Sequence, residues 1–236
     1  MINISKIFMG VVMMLGLTTP GFAGEAILFD DPSLVGYVDD GRISGFYDAE
    51  NEKFSCSFFF LQDNEELHPP NLDGYTDTKL LTFVPSDKSF EFSRRDKSFD
   101  IKGDLYRSGN EWVIKTSSAQ AGCENAAGGF IFKLGSLEAT KYVVAKKIAA
   151  IGIRLVSGKS IIHDYRSRKF IATKSYLIKW NVVVVLETRN QFSLVRFADP
   201  RLNADSYGRV TTGWVRSSDL VDPFPAVNKR RGRFYD

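Results

Sequence analysis

The stretch at residues 208–220, GRVTTGWVRSSDL, places a glycine directly before a tryptophan between two short β-branched runs. Two local structures fit this pattern. In the first, a strand crosses another strand closely at Gly213, where no side chain obstructs the approach, and then places Trp214 in a core or groove. In the second, an ordinary hairpin forms and Trp214 simply packs. The first structure indicates a recognisable binding module, and the second indicates a β-domain without a recognisable role.

Short strands surround this stretch and indicate how the C-terminal part folds. Each apolar or alternating run ends in turn residues, a pattern that favours a compact β-barrel over βαβ units. The strands are predicted at residues 152–156, 175–178, 182–186, 192–197 and 211–216.

Four of these segments follow one another in a specific order: SYLIK from Ser175, a valine-rich strand that ends with VLE from Val185, FSLVRF from Phe192, and TTGWVRSSDL from Thr211. This order resembles the bacterial SH3 (SH3b) domain family, whose pattern ends with Gly-Trp-(Val/Ile) before a final Asp-Leu. The resemblance covers residues 151–222 and implies an SH3-like barrel. Such a five-strand barrel bends sharply between its sheets, and a glycine permits the bend. The resemblance therefore favours the first structure at Gly213.

One position departs from the family pattern. Where the family has Gly-Asp in a tight turn before the valine-rich strand, this chain has Trp180 followed by Asn181. Asn tolerates positive φ, so we still expect a turn. Trp180 then projects from that turn, either as an added contact surface or against the neighbouring domain. Packing against the neighbouring domain is the favoured interpretation.

The N-terminal half also reads as β-structure, from residue 36 to residue 133. Alternating or fully apolar runs are typical of half-buried and buried strands. A polar loop that ends in prolines is expected at residues 63–70, and a loop held by Cys123 at residues 119–129. Strands are predicted at residues 54–61, 79–84, 90–92, 99–102, 111–116 and 130–133.

Cys56 and Cys123 are the two cysteines of the chain. An isolated pair in an oxidising compartment is most simply one disulfide, which would close a loop large enough to stabilise the fold by about 4 kcal/mol. A catalytic thiol is the alternative, although no Cys-x-x-Cys motif supports it.

The first 23 residues are typical of a cleavable signal peptide. Lys6 supplies the positive charge, residues 7–17 form an apolar run too short to span a bilayer, and small residues stand at Gly21 and Ala23. We expect cleavage after Ala23, export with the periplasm as the destination if the host is Gram-negative, and no stable membrane anchor.

The predicted fold class is therefore all-β, with two small domains after the signal peptide at residues 1–23. A disulfide-tied β-barrel or sandwich is expected at residues 24–136, and an SH3-like barrel at residues 151–222. A strand and linker would connect them at residues 137–150. The basic end at residues 223–236 is interpreted as a solvated tail.

The composition offers little support for catalysis. The net charge of +3 is too near neutral to indicate a nucleic-acid partner. The two histidines, His68 and His163, lie far apart in sequence, and a metal site needs three or four protein ligands. Nucleophile-elbow and zinc-protease motifs do not occur. We expect a non-enzymatic protein without cofactor or metal.

Binding is the function that remains. SH3-like barrels recognise extended peptides through aromatic grooves, and the resemblance implies a cell-wall peptide or an envelope protein as partner. Phe192 is expected to lie largely in the core, whereas Trp214 fits a core and a binding role equally well. The candidate ligand-binding residues are Tyr165, Tyr176, Trp180, Phe192 and Trp214.

A second hypothesis assigns the function to the N-terminal domain. A small, rigid and catalytically bare chain suits a periplasmic inhibitor or immunity protein that neutralises an exported hydrolase or toxin, because a pre-ordered loop loses little entropy on docking. The acidic residues at 63–66, Glu124 and Asn125 could then engage a basic partner, with a solvated loop as the simpler alternative.

Overall fold

The structure is a computed structural model that describes residues 24–63, 74–126, 130–228 and 233–234. It confirms the all-β class: a closed barrel is followed by a second, curled sheet. The predicted signal peptide at residues 1–23 lies outside the described residues, as do His68 and most of the predicted polar loop.

The first sheet is an eight-stranded barrel in which each strand pairs antiparallel with the next and the last strand pairs with the first. Inward residues alternate with outward ones along each strand, so one face of every strand supplies the barrel core. The strands are β1 (Gly24–Phe29), β2 (Leu34–Asp39), β3 (Arg42–Glu50), β4 (Ser55–Gln62), β5 (Thr76–Phe83), β6 (Ile101–Ser108), β7 (Glu111–Thr116) and β8 (Tyr142–Ala150).

The segment predicted as strand and linker, residues 137–150, supplies β8, which closes the barrel against β1. The predicted disulfide is also present, since Cys56 in β4 is bonded to Cys123. Cys123 begins a four-residue helix, α1 (Cys123–Ala126), within the segment predicted as a loop.

Two predicted strands are wrong. Residues 90–92 do not join the sheet, because Phe90 has φ +59, a left-handed conformation that a strand cannot contain, and Phe92–Arg94 forms a 3-10 turn. Residues 130–133 are irregular: the Phe130 carbonyl accepts one hydrogen bond from the Thr116 N–H (2.7 Å), and its ring fills the barrel core. Apolar residues are needed at both places for burial rather than for strand pairing.

The second sheet has seven strands in the order β11-β10-β14-β13-β12-β9-β15 and curls into a half barrel. A 3-10 turn at Ser217–Asp219 leads into its last strand. A separate small hairpin, β16 (Val227–Asn228) with β17 (Arg233–Phe234), lies within the predicted tail. The strands of the sheet are β9 (Gly152–Val156), β10 (Ser160–Arg166), β11 (Lys169–Leu177), β12 (Val182–Arg189), β13 (Phe192–Ala198), β14 (Val210–Arg216) and β15 (Leu220–Val221).

Gly213 is the point where β14 and β10 approach each other closely. A β-carbon at Gly213 would overlap the Ile162 Cγ2 methyl. The ladder between the two strands is confined to one pair, His163 with Trp214. The first of the two structures considered for this stretch is therefore the one that forms.

The barrel and the half barrel share a hydrophobic core. One cluster of buried side chains takes Phe59 and Phe83 from the barrel and Ile153, Leu155 and Val184 from the half barrel. Burial of this shared apolar surface holds the two sheets together. A separate cluster fills the inside of the half barrel.

Candidate ligand-binding surface

An aromatic surface forms where β10, β11, β13 and β14 meet. On these strands Ile162, Val195 and Val215 face the core of the half barrel. Because successive residues of a strand point to opposite faces, their neighbours in sequence cover the outer face. We call the rings on this face the aromatic cluster; it consists of His163, Tyr165, Phe170, Phe192 and Trp214.

The rings of the cluster contact one another continuously. Phe170 is central: its ring is stacked on Phe192 at a centroid distance of 4.0 Å, and it meets Trp214 edge-on at 5.3 Å. Tyr165 lies 4.8 Å from Phe170 and 6.0 Å from Trp214. His163 packs on the other side of Phe192 at 4.9 Å. Such pairs contribute about 0.5–1.5 kcal/mol each beyond area burial, so the arrangement is held in place without a ligand.

Arg189, at the end of β12, covers part of this surface. Its guanidinium carbon lies 4.6 Å from the Tyr165 ring centroid and 5.5 Å from that of Trp214. Hydrogen bonds with Tyr165 and Glu187 raise the pKa of Arg189, and the bond to Glu187 is 2.8 Å long. The Arg189 side chain is exposed and carries a permanent charge, so it can accept an additional anionic partner.

His163 is oriented by the backbone rather than by an acid. Its Nδ1 lies 2.9 Å from the Ile161 carbonyl oxygen and 3.3 Å from that of Trp214. Within the part of the chain that the structure describes, no three His, Cys, Asp or Glu side chains come together as metal ligands do. The aromatic cluster and the neighbouring Arg189 together present flat rings and a guanidinium cation, a combination suited to binding.

The structure brings three of the five predicted ligand-binding residues, Tyr165, Phe192 and Trp214, together and separates the other two. Tyr165 and Trp214 both belong to the aromatic cluster, although Trp214 is only 7% exposed. Phe192, expected in the core, lies half-buried on the outer face against Phe170. Tyr176 stands apart on β11, 52% exposed, with the Lys159 Nζ 4.4 Å from its ring centroid.

Trp180 packs against the barrel instead of joining the cluster. It has φ +77 in the turn before β12, and its ring meets the Phe90 ring edge-on at 4.7 Å. Beside it, the Lys179 Nζ donates to the Asp87 carbonyl oxygen (2.9 Å). Of the two interpretations of Trp180, packing against the neighbouring domain describes its position, with 37% of the residue still exposed.

The sequence patterns did not indicate Phe170 and Arg189 as parts of this surface. Phe170 reaches the cluster because β10 and β11 form a hairpin in which Tyr165 pairs with Phe170. The turn contains Ser167 and Arg168, both at positive φ (49° and 63°), a conformation usually signalled by Gly or Asn. The sequence does contain one signal for this hairpin: two aromatic residues, Tyr165 and Phe170, stand on either side of a short charged run that forms the turn.

The predicted contacts of the N-terminal domain are only partly described. Residues 64–66 of the acidic segment lie outside the described residues. Glu124 is exposed on α1, beside the disulfide.

No protein family, curated protein or solved structure matches this chain. In the described ranges, no helix has the length and apolar character needed to cross a membrane.

Proposed function

We propose that this chain is an exported, non-enzymatic binding protein whose second sheet holds a cell-wall peptide or an envelope protein. The observation that carries the proposal is the aromatic cluster. Tyr165 and Trp214, selected from the sequence as ligand contacts, share one outer face with Phe170 and Phe192 beneath the Arg189 cation. Flat rings bind extended chains with little loss of side-chain entropy.

The strand order of the second sheet supports the proposed SH3b relationship. Strands β12, β13 and β14 are consecutive neighbours, and β15 returns after a 3-10 turn to pair with β9. The close approach of β14 and β10 at Gly213, where a β-carbon would overlap Ile162, is compatible with the tight strand packing of a small barrel of this kind. The Cys56–Cys123 disulfide is compatible with the oxidising compartment to which an exported chain is delivered.

The charge of the surface favours a partner that carries a carboxylate. Arg189 lies over two rings of the cluster, and among the described residues its ion-pair partner is one half-exposed acid, Glu187. A ligand carboxylate could exchange with Glu187 at small cost, because exposed ion pairs contribute at most about 1 kcal/mol. An extended peptide could then cover Tyr165 and Phe170 while its carboxylate contacts Arg189.

Co-sedimentation with insoluble cell wall tests the proposal. The full chain is expected to sediment with purified wall, and Tyr165→Ala should release it, since this change removes the ring between Phe170 and Arg189. Tyr176→Ala is the matched control, because Tyr176 is a tyrosine on the same hairpin but outside the cluster. No sedimentation of the wild type, or equal sedimentation of both variants, would count against the proposal.

A second candidate is an inhibitor or immunity protein that acts through the barrel. The disulfide ties α1 to β4 and so presents the exposed Glu124 on a fixed support, as a docking loop requires. This candidate predicts that the purified chain inhibits an exported wall hydrolase and that Glu124→Lys weakens the inhibition. Unaltered hydrolase activity at saturating protein would reject it.

A further inference from the structure

The first barrel contains a pocket of about 570 Å³ at one of its mouths. The pocket lies between inward-facing positions of β1, β2, β5, β6, β7 and β8. Eight-stranded barrels are just wide enough to be filled by side chains or to hold one small ligand, and pockets of this size are typical of small-molecule sites. The six lining residues that matter for its chemistry are Glu25, Ile27, Val38, Arg107, Trp112 and Lys147.

The floor of the pocket is apolar and rigid. Ile27 and Trp112 belong to the buried core of the barrel, and Val38 packs against that core. Gly36 makes room for the Trp112 ring: a β-carbon at Gly36 would lie 2.9 Å from the ring atom Cη2. The floor therefore offers a flat indole and branched aliphatic side chains to a ligand.

Arg107 is an inward-facing cation above this floor. It pairs in register with Thr76 on one side and Trp112 on the other, so its side chain shares the inner face of the sheet with theirs. Its Nη2 has one long hydrogen bond, 3.4 Å to Thr78 Oγ1, and its buried Nε has no hydrogen-bond partner. Burial lowers the pKa of the guanidinium.

The charge around Arg107 is not balanced within the described residues. No described carboxylate lies within 4.0 Å of its guanidinium, whereas Lys147 at the rim is paired with Glu25 at 3.3 Å. Within the described residues, the Arg107 guanidinium therefore has no counter-charge in the pocket. Arg107 is half-buried. An unpartnered charge that is partly removed from water is costly, and a ligand carboxylate would offset that cost with charge-assisted hydrogen bonds.

We infer that the mouth of the first barrel binds a small molecule with an apolar body and a terminal carboxylate. The Arg107 guanidinium receives the carboxylate in the paired geometry that arginine favours with carboxylates. The apolar body lies on Trp112, Ile27 and Val38. This site is independent of the aromatic cluster, which belongs to the other sheet.

Titration calorimetry with dodecanoate tests the inference on the full, disulfide-bonded chain. Dodecanoate is expected to bind, and dodecanol, which has the same body without the charge, should bind at least about tenfold more weakly because a hydrogen-bonded ion pair is lost. This comparison uses the wild-type chain and does not depend on whether a variant folds. Equal affinity for the two probes, or no binding of dodecanoate, would overturn the inference.

Substitution of Arg107 separates a binding role from a structural one. Arg107→Met should weaken dodecanoate binding at least about tenfold, while the ligand-free chain keeps or raises its Tm because an unpaired, half-buried cation is removed. Arg94→Met, at an exposed arginine in the 3-10 turn outside the barrel, is the matched control and should leave binding unchanged. A lower Tm with unchanged dodecanoate affinity would assign Arg107 to structure alone and reject the site.

Discussion

Replacement of Trp180 by glycine and by alanine should reverse the usual stability order of these two residues. Trp180 has φ +77, a left-handed conformation in which a tryptophan or an alanine is strained and a glycine is not. Both substitutions remove the same ring and therefore the same edge-on contact with Phe90. The difference between the two variants isolates the backbone conformation from the packing.

The magnitude follows from two opposing effects. A left-handed conformation costs a residue with a β-carbon about 1–2 kcal/mol, and alanine retains this cost at residue 180. Glycine avoids it but is disfavoured by about 0.4–1 kcal/mol through the larger entropy of its unfolded chain. Trp180→Gly should therefore be more stable than Trp180→Ala by about 0.5–1 kcal/mol, which corresponds to about 1–4 °C in Tm for a chain of this size.

Thermal unfolding followed by circular dichroism measures this difference. Because the two sheets share one core cluster, we expect a single transition to which both contribute. The matched control is the pair Tyr176→Gly and Tyr176→Ala in the regular strand β11, where alanine should be the more stable. If Trp180→Ala is instead more stable than Trp180→Gly, the backbone at residue 180 is not strained by a β-carbon, and the predicted order is wrong.

Three further predictions concern the close approach at Gly213, the disulfide and one half-buried acid. Gly213→Ala should lower the unfolding free energy by about 1–3 kcal/mol through overlap with Ile162. In chemical denaturation this loss should be smaller when Gly213→Ala is made in an Ile162→Ala background, where the overlapping methyl group is absent. Removal of the disulfide in the double variant Cys56→Ala, Cys123→Ala should cost about 4 kcal/mol in the same assay, because the unfolded chain regains the entropy of a long loop. Burial raises the pKa of Asp48 to about 7, above its ordinary value of 3.8, so the folded state holds this proton more tightly than the unfolded state. The stability that Asp48 contributes is complete below about pH 4 and is lost as the pH rises to about 7. Asp48→Asn should flatten the dependence of the unfolding free energy on pH over this range. An unchanged dependence would show that Asp48 does not have the raised pKa.

Much of the fold could be predicted from two kinds of signal. The alternation of apolar and polar residues indicates strands locally, and an isolated cysteine pair in an oxidising compartment indicates a disulfide. The strands expected at residues 111–116 and 152–156 form at those residues, and the single disulfide forms as expected. Residues 90–92 show why three alternating residues are a weak signal. Phe92 packs edge-on against Phe83 and Phe90 against Trp180, so tertiary contacts hold both rings without a strand.

The proposed binding surface could be predicted only in part, for a physical reason. Tyr165, Phe192 and Trp214 were selected as candidate ligand contacts by residue type and position in the sequence. Phe170 joins them through a hairpin whose turn, Ser167 and Arg168, has positive φ without Gly or Asn. The role of Arg107 depends on strand register, which pairs it with Trp112 across β6 and β7 and which composition does not encode.

The three tryptophans allow the most direct test of the central claim, that the aromatic cluster of the second sheet is the ligand-binding surface. Trp214 lies in that cluster, Trp112 in the barrel mouth and Trp180 between the sheets. The measurement is a titration of the ¹⁵N-labelled chain with a soluble cell-wall peptide, in which the three indole N–H resonances are followed by NMR. The account predicts a saturable shift of the Trp214 indole while those of Trp112 and Trp180 stay in place. A Trp214 indole that does not move at saturating peptide, or a shift confined to the other two, would contradict it.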